Sequence, residues 1–213
     1  MLNPLFVVLL TVGALWGFLA DRIAARWPAQ EDGSIRAIDW RTPVSVIVGG
    51  IALALVPGRF EGDTTACLVF GAYVIALTLL LATDLDQRLL PNEITLPAIP
   101  LAFLVSVLGL NSLVPVGVLP IAVVVSILVP GALWLLARPF GAGAIGQGDL
   151  KLLVSVGLLA GPLRMFSGVV YGALLAGVVI LVLLALRRIT LKTFIAFGPF
   201  LIIGALWALL VLR

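Results

Sequence analysis

Histidine is absent from this sequence of 213 residues, and cysteine occurs once. The absence of histidine excludes Ser-His-Asp and Cys-His nucleophilic catalysis and removes the commonest ligand of protein-bound zinc. One cysteine can form neither a disulfide nor a cysteine zinc cluster within the chain. Because Cys67 lies in an apolar run, we interpret it as a small buried hydrophobic residue. The sequence therefore predicts neither a bound metal nor a cofactor.

Charge is also scarce in this chain. Charged residues make up 11% of it and hydrophobic residues 62%, and the mean hydropathy is +1.27. A soluble domain carries about 25% charged residues, so this composition indicates a polytopic protein embedded in a lipid bilayer. The 13 lysines and arginines exceed the 10 acidic residues only slightly. Because the excess is spread over several loops and forms no basic patch, we expect no nucleic-acid partner.

Apolar runs divide the chain into membrane spans, each of which needs roughly 20 residues. Six runs are long enough, at 2–20, 64–83, 93–110, 117–137, 164–186 and 194–212, and two are of ambiguous length, at 43–57 and 149–161. Counting both predicts an all-α bundle of about eight transmembrane helices in a single membrane domain, residues 1–213. The first run lacks a basic leader region and is interpreted as an uncleaved span. Paired small residues indicate helix-packing sites: Gly13/Gly17, Gly157/Gly161 and Gly168/Gly172.

The distribution of lysine and arginine predicts the orientation of these spans, because cytoplasmic loops are enriched in positive charge. With eight spans and the N-terminus outside, ten of the 13 basic residues face the cytoplasm and three face outward. If run 43–57 did not cross, the division would be seven against six, which defines no orientation. If run 149–161 were re-entrant, it would be nine against four, which stays open. Both remaining schemes make segment 21–42 a short cytoplasmic loop.

Two acidic interruptions of the apolar pattern are candidate functional sites, because ionisable groups at the edge of a hydrocarbon layer are costly. Asp84 and Asp86 end one apolar run and Asp149 begins another, all on the predicted cytoplasmic side. We predict that segments 84–92 and 138–149 are cytoplasmic active-site loops. Two carboxyl groups that share one proton supply an acid and a base at neutral pH, which suits hydrolysis of a peptide bond without a metal.

Structural roles for the same aspartates are open alternatives. Asp149 is suited to cap a helix N-terminus, and Asp84 and Asp86 are suited to close a span at the interface. Because Asp84 and Asp86 are two residues apart, they point to different faces of any helix, and only one of them is expected to meet Asp149. Nearby, Pro91-Asn92 indicates a helix start with the asparagine as its cap.

A glycine-rich stretch at 141–146 matches the pattern GxGxxG. As a dinucleotide-binding fingerprint, this pattern must follow a strand and open a helix. Here an apolar membrane run precedes it, so we interpret the stretch as a flexible interfacial loop that moves to admit an extended substrate.

Three patches of the sequence resemble the prepilin peptidases, the GXGD family of intramembrane aspartic proteases. They are DLDQRLLPNEITLP at 84–97, GQGDLKLL at 146–153 and FGPFL at 197–201. The resemblance implies removal of the short basic leader from type IV prepilins or type II secretion pseudopilins. It also implies cleavage after a glycine at the cytoplasmic end of the substrate's hydrophobic helix, in the bacterial inner membrane.

The same resemblance implies roles for individual residues. The two catalytic aspartates of the family correspond to Asp84 and Asp149, with Asp86 as a reserve candidate. The family lysine corresponds to Lys151, for which we expect an electrostatic or positioning role. Supporting or substrate-positioning roles are expected for four more residues of the matching patches: Gly146, Gly148, Pro91 and Asn92.

One departure from the family pattern concerns a second activity. Bifunctional members carry a larger cytoplasmic region after the first helix, often with two CxxC pairs, and methylate the new N-terminus with S-adenosylmethionine. In this chain, segment 21–42 is short and contains no cysteine. We therefore predict a reduced form that lacks the cysteine-bearing cytoplasmic domain and has peptidase activity without methyl transfer.

Three other classes of membrane protein compete with the protease hypothesis. A proton-coupled transporter is the main alternative, since intramembrane carboxylates line such pathways, but inverted repeats and charges near midspan are not evident here. A metal-dependent lipid head-group transferase needs a tighter carboxylate cluster than Asp84 and Asp86 provide. The third class is a structural assembly subunit. If the protein were one, the occurrence of two acidic sites on the same membrane face would be a coincidence.

Overall fold

The computed structural model describes residues 4–27, 35–140, 145–190 and 196–212. Within these ranges the regular secondary structure is helical, which confirms the predicted all-α bundle. The α-helices are α1 (Pro4–Ala24), α2 (Arg41–Arg59), α3 (Thr64–Gln87), α4 (Asn92–Val107), α5 (Leu119–Ala137), α6 (Gln147–Ala160), α7 (Pro162–Ala185) and α8 (Gly198–Leu210). Short 3-10 turns lie on either side of α5, at Val116–Val118 and Arg138–Phe140.

The helices differ in whether they are long enough to cross a membrane. Among the described residues, α1, α2, α3, α7 and α5 with its preceding turn are long and apolar enough to do so. Helices α4 and α8 are apolar but shorter, and α6 has 14 residues. These three fall below the roughly 17 residues that a perpendicular span requires. The ambiguous runs 43–57 and 149–161 correspond to α2 and α6.

Close helix packing depends on small residues, as the sequence predicts. At four of the predicted glycines, an added Cβ would come within 2.9 Å of a facing backbone atom: Gly13 and Gly17 face α2, and Gly168 and Gly172 face α8. Gly157 packs against α5, where an added Cβ would lie 2.7 Å from Ser126 Cβ. Gly161 has a different role, because it ends α6 with a left-handed φ of 79° that glycine adopts without strain.

Helices α3, α6 and α8 supply much of the buried core, with Leu77, Leu152 and Ile202 fully enclosed. Outer helices instead expose large apolar side chains, such as those of Leu128 on α5 and Leu181 on α7. Exposed apolar surface of this extent is costly in water and suits contact with lipid. The three core helices are also those whose ends carry the predicted aspartates and the third matching patch.

Candidate active site

The last turn of α3 carries Asp84 and Asp86. The sequence predicts the end of this span at 83, but the helix continues to Gln87, because the Arg88 backbone N–H still donates to the Asp84 carbonyl oxygen at 2.9 Å. Arg88 then ends the helix in a left-handed conformation, with φ of 54°. Since α4 begins at Asn92, the predicted loop 84–92 is reduced to residues 88–91.

The glycine–aspartate motif forms the first turn of α6. Gly146 is the N-cap, and Asp149 lies within the first turn of the helix. The Asp149 carboxylate accepts a hydrogen bond from the Gly146 backbone N–H, a donor that the helix itself leaves without a partner. Asp149 is therefore not the N-cap itself, which was the structural alternative. It bonds back to the cap residue from inside the helix.

The carboxyl groups of Asp84 and Asp149 meet at Gly198, the first residue of α8. A Cβ added at Gly198 would lie 2.8 Å from Asp84 Cγ and 2.9 Å from Asp149 Oδ1, so the two carboxyl groups are near neighbours. Asp84 is 5% exposed and Asp149 is 8% exposed. Within the described part of the chain, Asp84 Oδ2 has no hydrogen-bond partner. Two buried carboxyl groups this close favour holding a single proton between them.

The two glycines of the motif leave room for two different groups. An added Cβ at Gly148 would lie 2.7 Å from Leu90 Cβ, so the loop 88–91 packs directly on the first turn of α6. An added Cβ at Gly146 would lie 3.2 Å from Asp149 Oδ2. Gly148 thus lets the two polar segments converge, and Gly146 leaves space for the carboxylate itself.

Lys151 connects α6 to the start of α4. Its Nζ donates to Asn92 Oδ1 at 2.6 Å. The prediction that Asn92 caps α4 is wrong, because Pro91 is the N-cap and Asn92 is the first helical residue. The Asn92 side chain bonds to the ammonium group instead, and such a charge-assisted bond is stronger than a neutral bond to a backbone N–H.

Together these groups line a cavity of about 420 Å³. Its walls come from the end of α3, the loop 88–91, the start of α4 and the first turn of α6. The expected convergence of the two polar segments is thus seen for the residues that the structure describes. Residues 141–144, with the first glycines of the GxGxxG pattern, lie outside the described residues, so the structure does not bear on the flexible loop expected there.

Asp86 makes different contacts from Asp84, as their spacing in a helix predicts. Its Oδ1 accepts a hydrogen bond from Arg41 Nη1 at 2.8 Å and pairs with Arg36 Nε at 2.5 Å. Arg36 also pairs with Asp21 at the end of α1 and with Asp39. The Asp86 side chain is 1% exposed. We call these five residues the ion cluster, and it ties the chain between α1 and α2 to the end of α3.

The ion cluster keeps the guanidinium group of Arg36 charged. Burial alone would lower the pKa of the Arg36 guanidinium, but its hydrogen bond to Asp21 and the charges of Asp21, Asp86 and Asp39 raise that pKa above its ordinary value. A partly buried guanidinium held in this way depends on its carboxylate partners.

Replacing Asp86 by asparagine is therefore expected to lower stability more than activity. The change leaves Arg36 and Arg41 without one anionic partner, which costs about 2 kcal/mol. Thermal unfolding in detergent should show a lower midpoint, whereas the folded Asp86→Asn protein should keep, at low temperature, most of the proteolytic activity that the sequence leads us to expect. An Asp86→Asn protein that unfolds like the wild type but is as inactive as Asp84→Asn would show that Asp86 belongs to the catalytic pair.

Gly198 is the residue of the site whose role is not evident from the sequence. It belongs to the third matching patch, but a glycine before Pro199 in an apolar run has no chemical signature. Its position at both carboxyl groups follows from how α8 packs against α3 and α6, which no local pattern encodes.

Comparison with known proteins places these observations in a family. A model described as the type IV leader peptidase family matches residues 71–186, more than half of the chain. The prepilin leader peptidase/N-methyltransferase of Pseudomonas putida is 32% identical over 197 residues, which cover 89% of this chain and 60% of the relative. The protein of the same name from Aeromonas salmonicida (strain A449) is 32% identical over 88% of this chain and 59% of the relative. The protein of that name from Dickeya chrysanthemi is 27% identical over 79% of this chain and 59% of the relative.

The chain thus spans about three-fifths of the length of these curated relatives. No solved structure matches it. The family match covers both aspartates that meet at Gly198, together with Lys151 and the two glycines of the motif. This chain belongs to the type IV leader peptidase family.

Proposed function

We propose that this protein is an intramembrane aspartic endopeptidase that removes the leader of type IV prepilins or type II secretion pseudopilins, with Asp84 and Asp149 as its catalytic pair. The observation that carries the proposal is the convergence of two buried carboxyl groups at Gly198, at a polar cavity in an apolar bundle. The family supports a peptidase, and the names of the relatives supply the substrate class.

The pair hydrolyses a peptide bond with water as the nucleophile. One carboxylate takes a proton from the water as its oxygen attacks the scissile carbonyl carbon, and the protonated partner gives its proton to the carbonyl oxygen. The resulting diol collapses when its C–N bond breaks. The nitrogen takes a proton from the first carboxyl group, and a diol hydroxyl returns a proton to the second. The products are a carboxylic acid and an amine, and the pair again holds one proton.

The surroundings of the two side chains suggest which of them plays which role. The Gly146 backbone N–H donates to Asp149, and such a bond stabilises the charged carboxylate. Among the described residues, Asp84 Oδ2 has no donor. We therefore assign Asp149 as the base that activates water and Asp84 as the acid that protonates the carbonyl oxygen. Lys151 acts through its bond to Asn92 by holding the start of α4 against α6.

The direct test is co-expression with a prepilin in cells that lack their own leader peptidase. We expect the wild-type protein to shorten the prepilin, and mass spectrometry of the product should show a new N-terminus at the start of the hydrophobic segment. A prepilin that keeps its leader, with the protein present and folded in the membrane, would contradict the proposed function.

We further propose that the N-terminus lies outside and the site faces the cytoplasm. Contacts within the bundle support this orientation, since Arg59 and Arg164 each donate to a backbone carbonyl at the C-terminal end of α8. Gly198, at the other end of that helix, lies beside the aspartates. The two arginines therefore sit at the end away from the site, as the ten-to-three division of basic residues requires.

Single cysteines introduced into a Cys67→Ser background report this orientation. A cysteine at exposed Glu61, between α2 and α3, should react with a membrane-impermeant maleimide on intact spheroplasts. A cysteine at exposed Arg188, after α7, should react only once the membrane is permeabilised. The reverse pattern would place the site on the outer face.

Methyl transfer is expected to be absent. Purified protein incubated with prepilin and labelled S-adenosylmethionine should yield mature pilin without label, because segment 21–42 is short and holds no cysteine. The Pseudomonas putida relative, whose name includes N-methyltransferase, serves as the positive control. Label on pilin processed by this protein alone would refute the prediction.

A further inference from the structure

An apolar groove runs along the outside of the bundle between α3 and α4. It has a volume of about 480 Å³. Its walls are apolar side chains of the two helices, and Leu159 of α6 contributes to its lining. Among the described residues, α3 and α4 touch each other only sparsely, although they are consecutive in the chain. The groove is thus open towards the surface that lipid covers.

The groove and the catalytic cavity share one lining residue. Glu93, in the first turn of α4, lines both the groove and the cavity that holds Asp84 and Asp149. From Glu93 the groove follows α4 as far as Val105. At 1.5 Å per residue this is a length of about 18 Å, which matches about three turns of a second helix. An apolar segment lying there would have one end at Glu93, beside the polar cavity.

Small residues line both walls at helical spacing. Ala72 and Ala76 lie one turn apart on α3, and Ala98 and Ala102 lie one turn apart on α4. Such spacing lets the backbone of a third helix come close to both walls inside a membrane. Tyr73 stiffens the α3 wall, because its hydroxyl is hydrogen-bonded to Ser155 of α6 at 2.7 Å.

We propose that this groove is the docking site for the hydrophobic helix of the substrate. The inference rests on the proposed function, in which the scissile bond lies at the cytoplasmic end of that helix. A substrate of this kind must hold its apolar helix against the bundle while its leader enters the polar cavity. The groove fits both demands, because its lining is mainly apolar and Glu93, at one end of it, also lines the polar cavity.

Cross-linking tests the position of the substrate helix. In a Cys67→Ser, Asp149→Asn background, which retains uncleaved substrate, a cysteine replaces Leu101 on the groove or Leu128 on α5; both residues are highly exposed. The partner is a prepilin that the wild-type protein cleaves, with one cysteine in the first half of its hydrophobic helix. We expect at least tenfold more disulfide cross-link through position 101 than through position 128.

Equal cross-linking at the two positions, or none at position 101, would overturn the docking proposal. If lipid fills the groove in place of the substrate helix, no cross-link should form through position 101. The separate failure of the proposed function is recognisable beforehand, because the wild-type protein would then cleave none of the prepilins tested.

Filling the groove supplies an independent measurement. Ala72→Leu narrows the groove without touching either aspartate, and Ala132→Leu makes the same change at an exposed position of α5 that does not line it. We expect Ala72→Leu to raise the KM for prepilin about tenfold with kcat little changed, and Ala132→Leu to leave both constants unchanged. Identical constants for the two variants would contradict the proposal. If Ala72→Leu fails to fold, the cross-linking experiment alone tests the docking proposal.

Discussion

Asp84→Asn and Asp149→Asn are each expected to lower the rate of leader removal by roughly a thousandfold or more. In the proposed mechanism, each substitution removes one member of a pair that needs two carboxyl groups, one to take a proton from water and one to give a proton to the carbonyl oxygen. Asparagine has nearly the same shape as aspartate, so the packing at Gly198 should survive. The measurement is the single-turnover rate of prepilin cleavage by purified protein in detergent or liposomes.

A matched control lies at the other end of the same helix. Asp63 is the N-cap of α3, where its side chain accepts a hydrogen bond from the Ala66 backbone N–H at 2.9 Å. Asparagine caps helices about as well as aspartate does, so Asp63→Asn should keep full activity. If Asp84→Asn or Asp149→Asn processes prepilin at the rate of Asp63→Asn, that residue is not part of the catalytic pair.

Gly198→Ala is expected to lower kcat about a hundredfold while leaving the fold intact. The added methyl group would lie 2.8 Å from Asp84 Cγ and 2.9 Å from Asp149 Oδ1, so one or both carboxyl groups must move. A shift of about 1 Å in a catalytic group can cost this much in rate. Alanine is itself a better helix former than glycine, by about 0.5–1 kcal/mol, so a loss of activity through a weaker α8 is not expected.

The control for Gly198→Ala is a glycine of α3 that has open space around it. An added Cβ at Gly71 would meet nothing within 4 Å, so Gly71→Ala should cleave prepilin at the wild-type rate. A loss confined to kcat, with KM and the thermal midpoint unchanged, is the signature of displaced carboxyl groups. Wild-type kcat in Gly198→Ala would mean that the carboxyl groups do not need the space that this glycine leaves.

The glycines of this family motif acquire separate physical reasons from the structure. Gly148 admits Leu90, Gly146 borders the Asp149 carboxylate, and Gly198 borders both carboxyl groups. Each avoids a contact that any larger residue would make. The positions of these glycines are therefore explained by the groups that must fit beside them, which are Leu90 at Gly148 and the carboxyl groups at Gly146 and Gly198.

Several features were predictable from the sequence because they depend on local composition. Apolar runs that correspond to the eight α-helices of the described residues, including the runs of ambiguous length at α2 and α6, can be recognised without any knowledge of their neighbours. The separation of Asp84 from Asp86 follows from helical periodicity alone. The family resemblance selected Asp84 and Asp149 as the catalytic pair, and the structure brings these two together.

Other features depend on contacts between distant segments, and local patterns were misleading or silent there. Asn92 follows a proline and has the composition of a helix cap, but Lys151, 59 residues later, engages its side chain. Asp86 carries the same carboxyl group as Asp84, but its side chain pairs with Arg41 and Arg36, which lie 45 and 50 residues earlier in the chain. Composition cannot distinguish two aspartates that differ only in their partners.

The sequence by itself determined that this is a helical membrane protein and indicated its few acidic residues as candidates for its chemistry, because hydrophobicity and charge are properties of each residue. Only the tertiary structure decided which carboxyl groups meet, which one stabilises the fold, and that Gly198 makes room for the pair. Those outcomes depend on how α3, α6 and α8 pack against one another. Packing is set by the shapes of all three helices together, and no single segment of the chain contains that information.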